Sequence, residues 1–217
     1  MRLVFLGPPG AGKGTQAVRL AEERALPHIS TGDILRSAGA SGTPLGKQVR
    51  GYLEAGELVP DEVMNAVVEE RVGQGDCTRG FILDGFPRTK PQAEALGRML
   101  RKQGRELDAV LYVDVPREEL VRRLSGRRLC SDCGANLHVD NLPEGGADRC
   151  PTCGAQVVQR SDDRPETVAN RLEVYHRTTG TLVSYYQERG LLRRVDGLGT
   201  PEEVYRRLLA VLAEEAG

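Results

Sequence analysis

At 217 residues and 39% apolar content, the chain is long enough for one packed α/β domain carrying one or two insertions. Its 30 basic and 31 acidic side chains give a net charge of -1, which excludes a broad basic nucleic-acid footprint. No apolar run approaches the roughly 20 residues of a membrane span, and the apolar residues 2–6 are too few for a signal-peptide core, so a cytoplasmic protein is expected.

Residues 2–6 read as a strand and lead into a glycine-rich turn; residues 15–24 then have helical spacing at Ala17, Leu20 and Ala21. A short strand fits 27–30, and Thr31-Gly32-Asp33 opens a helix. A helix is expected over about 44–55, a loop over 56–60, and then a helix capped by Asp61 and running to about Val72. Residues 81–84 form a buried-type strand between Gly80 and Gly85, followed by a helix over about 91–102. Residues 109–113 are the next strand, and Pro116 opens the next helix. Residues 127–160 break all periodicity. Residues 166–189 read as one long helix, 193–195 as a strand, and Pro201 opens a final helix. Alternation of strand and helix implies a parallel sheet covered on both faces, with the irregular stretches near 30–59 and 126–163 inserted at its ligand-binding edge.

Gly7-Pro8-Pro9-Gly10-Ala11-Gly12-Lys13 fits G-x-x-x-x-G-K between a strand and a helix. Glycine lets successive N–H groups aim at one anion, the helix N-terminus adds partial positive charge, and Lys13 reaches the outer phosphates. Gly14 stands where most such cradles carry Ser or Thr for magnesium, and Thr15 comes one place later. Magnesium must therefore lean on phosphate, water and an acidic residue elsewhere; Asp84, at a strand's carboxyl end, is the candidate.

Four of the five cysteines form two C-x-x-C pairs, Cys130/Cys133 and Cys150/Cys153, separated by 16 residues. Two such turns close a tetrahedron around one ion, zinc by preference, although iron also accepts four thiolates. All four positions would be filled by protein, so the ion would be structural. Cys77 reads as a core or turn residue, and His28, His138 and His176 match no ligand spacing.

Three motifs, Gly7 through Thr15, Ser30-Thr31-Gly32-Asp33 and Asp84-Gly85-Phe86-Pro87-Arg88, together resemble the adenylate kinase family, and the resemblance spans nearly the whole chain. It implies an α/β fold of P-loop NTPase type: a five-stranded parallel sheet flanked by helices, with a monophosphate-binding flap and a zinc-ribbon-like lid. The core would comprise 1–29, 60–125 and 164–217, the AMP flap 30–59 and the zinc lid 126–163. It further implies reversible phosphoryl transfer from MgATP to AMP. ATP would be held by Gly10, Ala11, Gly12, Lys13, Gly14, Thr15, Arg123, Arg127 and, through a backbone carbonyl, Gly199. AMP would be held by Thr31, Arg36, Glu57, Leu58, Val59, Gly85, Phe86, Pro87, Arg88, Gln92, Arg160 and Arg171. Lys13, Asp84, Arg88, Arg123, Arg160 and Arg171 would serve the transfer itself. Zn2+ and Mg2+ are the expected metals. The partners would be the nucleotides ATP, AMP and ADP, without nucleic acid or membrane, acting on a monomer. The nearest alternative is a kinase for another monophosphate on the same fold; a zinc-ribbon NTPase that binds nucleic acid would leave residues 84–88 without a role.

Overall fold

A computed structural model describes residues 1–142 and 148–213. Residues 143–147 of the expected lid and 214–217 of the expected core therefore lie outside the described residues. The first strand, β1 (Arg2–Leu6), is followed by α1 (Lys13–Arg24), β2 (His28–Ser30), α2 (Thr31–Ala40), α3 (Pro44–Ala55) and α4 (Asp61–Val72). Next come β3 (Phe81–Asp84), α5 (Lys90–Lys102), β4 (Ala109–Asp114) and α6 (Arg117–Gly126). A small antiparallel sheet follows, of β5 (Arg127–Cys130), β6 (Asn136–His138) and β7 (Val157–Val158), in the order β6-β5-β7. The chain ends with α7 (Pro165–Val174), α8 (Thr181–Gln187), β8 (Leu192–Asp196) and α9 (Pro201–Ala213).

The main sheet has five parallel strands in the order β2-β3-β1-β4-β8. Alternation along β1 explains why it lies at the centre. Leu3 and Phe5 join one apolar layer with Leu20, Leu111 and Leu208, whereas Val4 and Leu6 join the other with Ile29, Leu83 and Leu96. A strand apolar on both faces is stable only between two helical layers. Full burial of such side chains is worth roughly 1.5–3 kcal/mol each, so the central strand is a rigid base for the turn that follows it. That turn passes close over β4: a Cβ on Gly7, whose φ is +147°, would lie 2.6 Å from the Val113 carbonyl oxygen.

The expected elements are present, with two corrections. Asp61 is the first residue of α4 and caps nothing; the N-cap is Pro60, without a side-chain cap bond. The Asp61 carboxylate is engaged instead by Thr89 and Gln92. The long helix expected over 166–189 is interrupted by a π-helical turn, Tyr175–Thr179, between α7 and α8. Hydroxyl groups there bind backbone carbonyls in competition with the helix ladder. Thr178 Oγ1 donates to the Val174 carbonyl at 2.7 Å, and Thr179 Oγ1 donates across to the Arg88 carbonyl at 2.9 Å. Cys77 is buried, with Arg71 Nη1 donating to its Sγ at 3.0 Å.

Candidate active site

The parallel strands direct their carboxyl ends, and the segments that follow them, to one side of the sheet, where open α/β sheets bind ligands. A cleft of about 590 Å³ lies there. The cradle residues Gly10, Ala11, Gly12, Lys13, Gly14 and Thr15 form its floor. Asp84, Gly85, Pro87 and Arg88 enter from the end of β3, Gly199 from the loop after β8, and Arg36 from α2. Arg123 comes from α6, Arg127 and Arg160 from the small sheet and its exit, and Arg171 from α7. A second, smaller space adjoins this one; Thr31, Glu57, Leu58, Val59 and Gln92 line it, and Arg36, Gly85, Arg88 and Arg171 are shared. The Phe86 ring lines neither space: it is 1% exposed and packs in the core.

Gly14 has a local reason. A Cβ there would stand 3.3 Å from Asp84 Oδ2, so glycine gives the carboxylate room beside the cradle. Thr31 Oγ1 donates to the Asp84 carbonyl at 3.2 Å, tying α2 to the end of β3. Lys13 Nζ donates to the carbonyls of Gly7 at 2.8 Å and Pro8 at 2.9 Å.

The arginines are held by neighbours that leave charge in excess. Arg88 Nε donates to the Gly85 carbonyl at 2.8 Å, and Arg36 pairs with Asp33 at 2.5 Å. Arg123 donates to Glu119 Oε1 at 2.7 Å and to the Gly197 carbonyl at 2.9 Å, which fastens α6 to the loop after β8. Asp163 has no exposed side-chain surface; it accepts from Arg127 at 2.5 and 2.7 Å and from Arg171 at 3.0 Å. Arg171 also meets Asp162 Oδ2 at 3.1 Å. Arg160 reaches Asn136 Oδ1 at 2.9 Å.

Electrostatics point the same way for Lys13, Arg88, Arg160 and Arg171, whose charge is disfavoured first by burial. Burial lowers Lys13 from the ordinary 10.5 to about 8; Asp84 opposes the shift, while Arg88, Arg171 and Arg127 add to it. Arg160 is pushed down to about 10, first by burial and then by Arg127 and Arg36. Burial, followed by Arg171, also lowers Arg88. Crowded cations that disfavour one another's charge make a site for a polyanion, because the ligand removes the repulsion.

Sequence reasoning missed several groups. Asp162 and Asp163 carry the pins for Arg127 and Arg171, yet each reads in sequence as an ordinary loop charge. Thr179 holds the Arg88 carbonyl; its signal is the cluster of Thr178, Thr179 and Thr181 around Gly180 inside a helical pattern. His28 and His138 both line the cleft, with His28 Nε2 4.0 Å from Asp84 Oδ2.

The small sheet brings the four paired cysteines together, with every Sγ within 4.8 Å of the others. Cys130 and Cys153 sulfurs are 3.4 Å apart, and Cys133 and Cys150 sulfurs 3.7 Å apart. None of the four is in a disulfide. A tetrahedral zinc site with bonds of about 2.3 Å needs sulfurs about 3.8 Å apart, so the donor set fits that ion. Both C-x-x-C turns are built alike. Gly134 and Gly154 have φ of +68° and +76°, and the N–H groups of Cys130 and Cys150 donate to the carbonyls of Ala135 and Ala155. Backbone N–H groups of Cys133 and Asp132 favour the Cys130 thiolate, the form a metal needs.

A model of the Adenylate kinase family matches residues 5–191. Among curated proteins, the chain is 54% identical to an adenylate kinase of Citrifermentans bemidjiense over 98% of this chain and 99% of that protein. It is 50% identical to an adenylate kinase of Thermodesulfovibrio yellowstonii, covering 99% of this chain and all of the relative. An adenylate kinase of Archaeoglobus fulgidus is 51% identical over 98% of each chain. Among the described residues, no helix is long and apolar enough to cross a membrane.

Replacing Lys13 with Met should stabilise the ligand-free protein near neutral pH. The folded state disfavours the Lys13 proton, so between about pH 8 and 10.5 the unfolded chain binds more protons and wild-type stability rises with pH. The variant's thermal midpoint should exceed wild type by about 2–4 °C or more at pH 7, and the gap should close as pH rises through that window. Scanning calorimetry across the range checks this.

Proposed function

The chain belongs to the adenylate kinase family, and from that premise we propose that this phosphotransferase moves the terminal phosphoryl group of ATP to AMP, giving two ADP. The observation that carries the reading is the pair of adjoining spaces meeting at Arg36, Gly85, Arg88 and Arg171. One holds the phosphate cradle and suits ATP; the other, lined by Thr31, residues 57–59 and Gln92, suits AMP. Two phosphate chains lying head to head would meet among the shared cations.

Transfer of this kind needs in-line alignment and positive charge around the moving group more than covalent help. Lys13 and the amides of residues 10–15 would grip the outer phosphates of ATP, with Arg123 and Arg127 above them and the Gly199 carbonyl near the base. Arg36 and Arg88 would hold the AMP phosphate, with Arg160 and Arg171 spanning both substrates. The AMP phosphate is largely ionised at neutral pH, so it attacks without a general base. Asp84 would hold magnesium beside the cradle; bound there, the ion supplies charge to the phosphate oxygens.

Water competes with AMP as acceptor, so residues 30–59 and 126–163 act as a flap and a lid that close before transfer. The lid's apolar cluster contains Val157 with the cysteines Cys130 and Cys150, and little else that is buried. So small a core cannot offset the ordering entropy of its chain, and zinc held by Cys130, Cys133, Cys150 and Cys153 takes the place of the missing burial.

Purified protein supplied with ATP, AMP and magnesium should form ADP, and Lys13→Ala or Arg88→Ala should lower kcat by about 100-fold or more. ATP hydrolysis without transfer to AMP would overturn the reading. Elemental analysis should find one zinc per chain. Cys150→Ser or chelation should lose it, lowering the thermal midpoint by several degrees and slowing turnover. If lid opening limits turnover, rapid mixing should give an ADP burst in the first turnover, whereas a linear onset would place the limit at or before transfer.

A further inference from the structure

Asp61 has a role that neither helix capping nor the phosphate chemistry absorbs. Its Oδ1 accepts from Gln92 Nε2 at 2.7 Å, and its Oδ2 accepts from Thr89 Oγ1 at 2.8 Å. Gln92 Oε1 in turn accepts from the Arg88 backbone N–H at 2.7 Å. Thr89 Oγ1 closes the ring by accepting from the Gln92 N–H at 3.2 Å. Gln92 is 2% exposed, and its surroundings open only into the smaller of the two spaces.

The sense of a glutamine amide is set by its partners. A carboxylate can only accept and a backbone N–H can only donate. The amide nitrogen must therefore face Asp61 and the amide oxygen must face Arg88. Turned over, it would oppose acceptor to acceptor at Asp61 and donor to donor at Arg88, leaving buried polar groups unpaired at both ends. Held in this sense, the amide keeps one N–H and one oxygen lone pair for a ligand. Adenine carries an amino donor beside a ring acceptor and complements that edge. A 6-oxopurine carries a carbonyl acceptor beside an N–H donor on its pairing edge, and would need the amide reversed.

We propose that Asp61 is a positioning residue that locks the polarity of the Gln92 amide and so sets the preference for adenine over 6-oxopurines at the monophosphate site. This rests on the reading of that space as the AMP site. Asn or Ser at position 61 can both donate and accept, so either releases the lock while remaining compatible with the first turn of α4.

The test compares kcat/KM for AMP and for IMP at saturating MgATP in wild type, Asp61→Asn and Asp61→Ser, alongside KM for ATP and the thermal midpoint. The expected result is a fall in the AMP:IMP ratio of about tenfold or more in both variants, chiefly through KM for AMP, with KM for ATP held within about twofold. The ratio does not depend on the fraction of enzyme folded, so a destabilised variant still reports, and a purely structural role would leave it unmoved. A wild-type ratio in both variants overturns the inference while leaving the AMP site intact. A wild-type enzyme inactive on AMP overturns the functional reading and the inference with it.

Discussion

The cleft is organised by repulsion. Lys13, Arg36, Arg88, Arg127, Arg160 and Arg171 are drawn from separate elements into one space, and burial there disfavours the charge on several of them. Such a set would scatter without opposing carboxylates. Asp163, with no exposed side-chain surface, binds Arg127 and Arg171 together, Oδ1 meeting both, and so ties the small sheet to α7. Removing one partner from a buried pair of this kind costs far more than the pair's net worth, because a buried charge is left uncompensated. The carboxylates are nevertheless too few to neutralise the cations, which leaves the cleft with an excess of positive charge.

That arrangement depends on a base that does not yield. The parallel sheet supplies it, with apolar side chains of β1, β3 and β4 packed into both helical layers. The cradle, residues 85–88 and the loop carrying Gly199 start at or just after the ends of the core strands β1, β3 and β8. Even the break between α7 and α8 serves the site, since the π-turn aims Thr179 at the Arg88 carbonyl. A regular helix through residues 175–179 would follow a different register and lose that aim.

Much of this was legible in the sequence. The cradle, the strand ending in Asp84 and the paired cysteines each announce themselves by spacing, because backbone curvature and metal geometry restrict which residues can stand where. The arginines were legible only through motifs, since an isolated arginine has no local signature. What escaped was tertiary: the carboxylates Asp162 and Asp163, whose value comes from Arg171 on the next helix and from Arg127 in the small sheet, and the π-turn, where hydroxyl competition decides between two nearly equal helical registers. The role of Asp61 is hidden in the sequence for a related reason. An acidic residue at a helix start suggests a cap, and only the position of α5 reveals that its carboxylate is directed across to Thr89 and Gln92.

The same chemical group thus performs distinct tasks according to what surrounds it. Asp163, sealed between two guanidiniums, acts through charge. Asp84 stands beside the cradle, where the missing side chain of Gly14 leaves its carboxylate room. Asp61, paired with an amide and a hydroxyl, acts through hydrogen-bond polarity and carries no phosphate-facing duty. Charge attracts any nucleotide, whereas a fixed donor and acceptor pair discriminates among bases, so affinity and selectivity rest on different carboxylates. Changes at Asp61 therefore act on the hydrogen-bond polarity at Gln92 and leave the charge of the cationic cleft as it is.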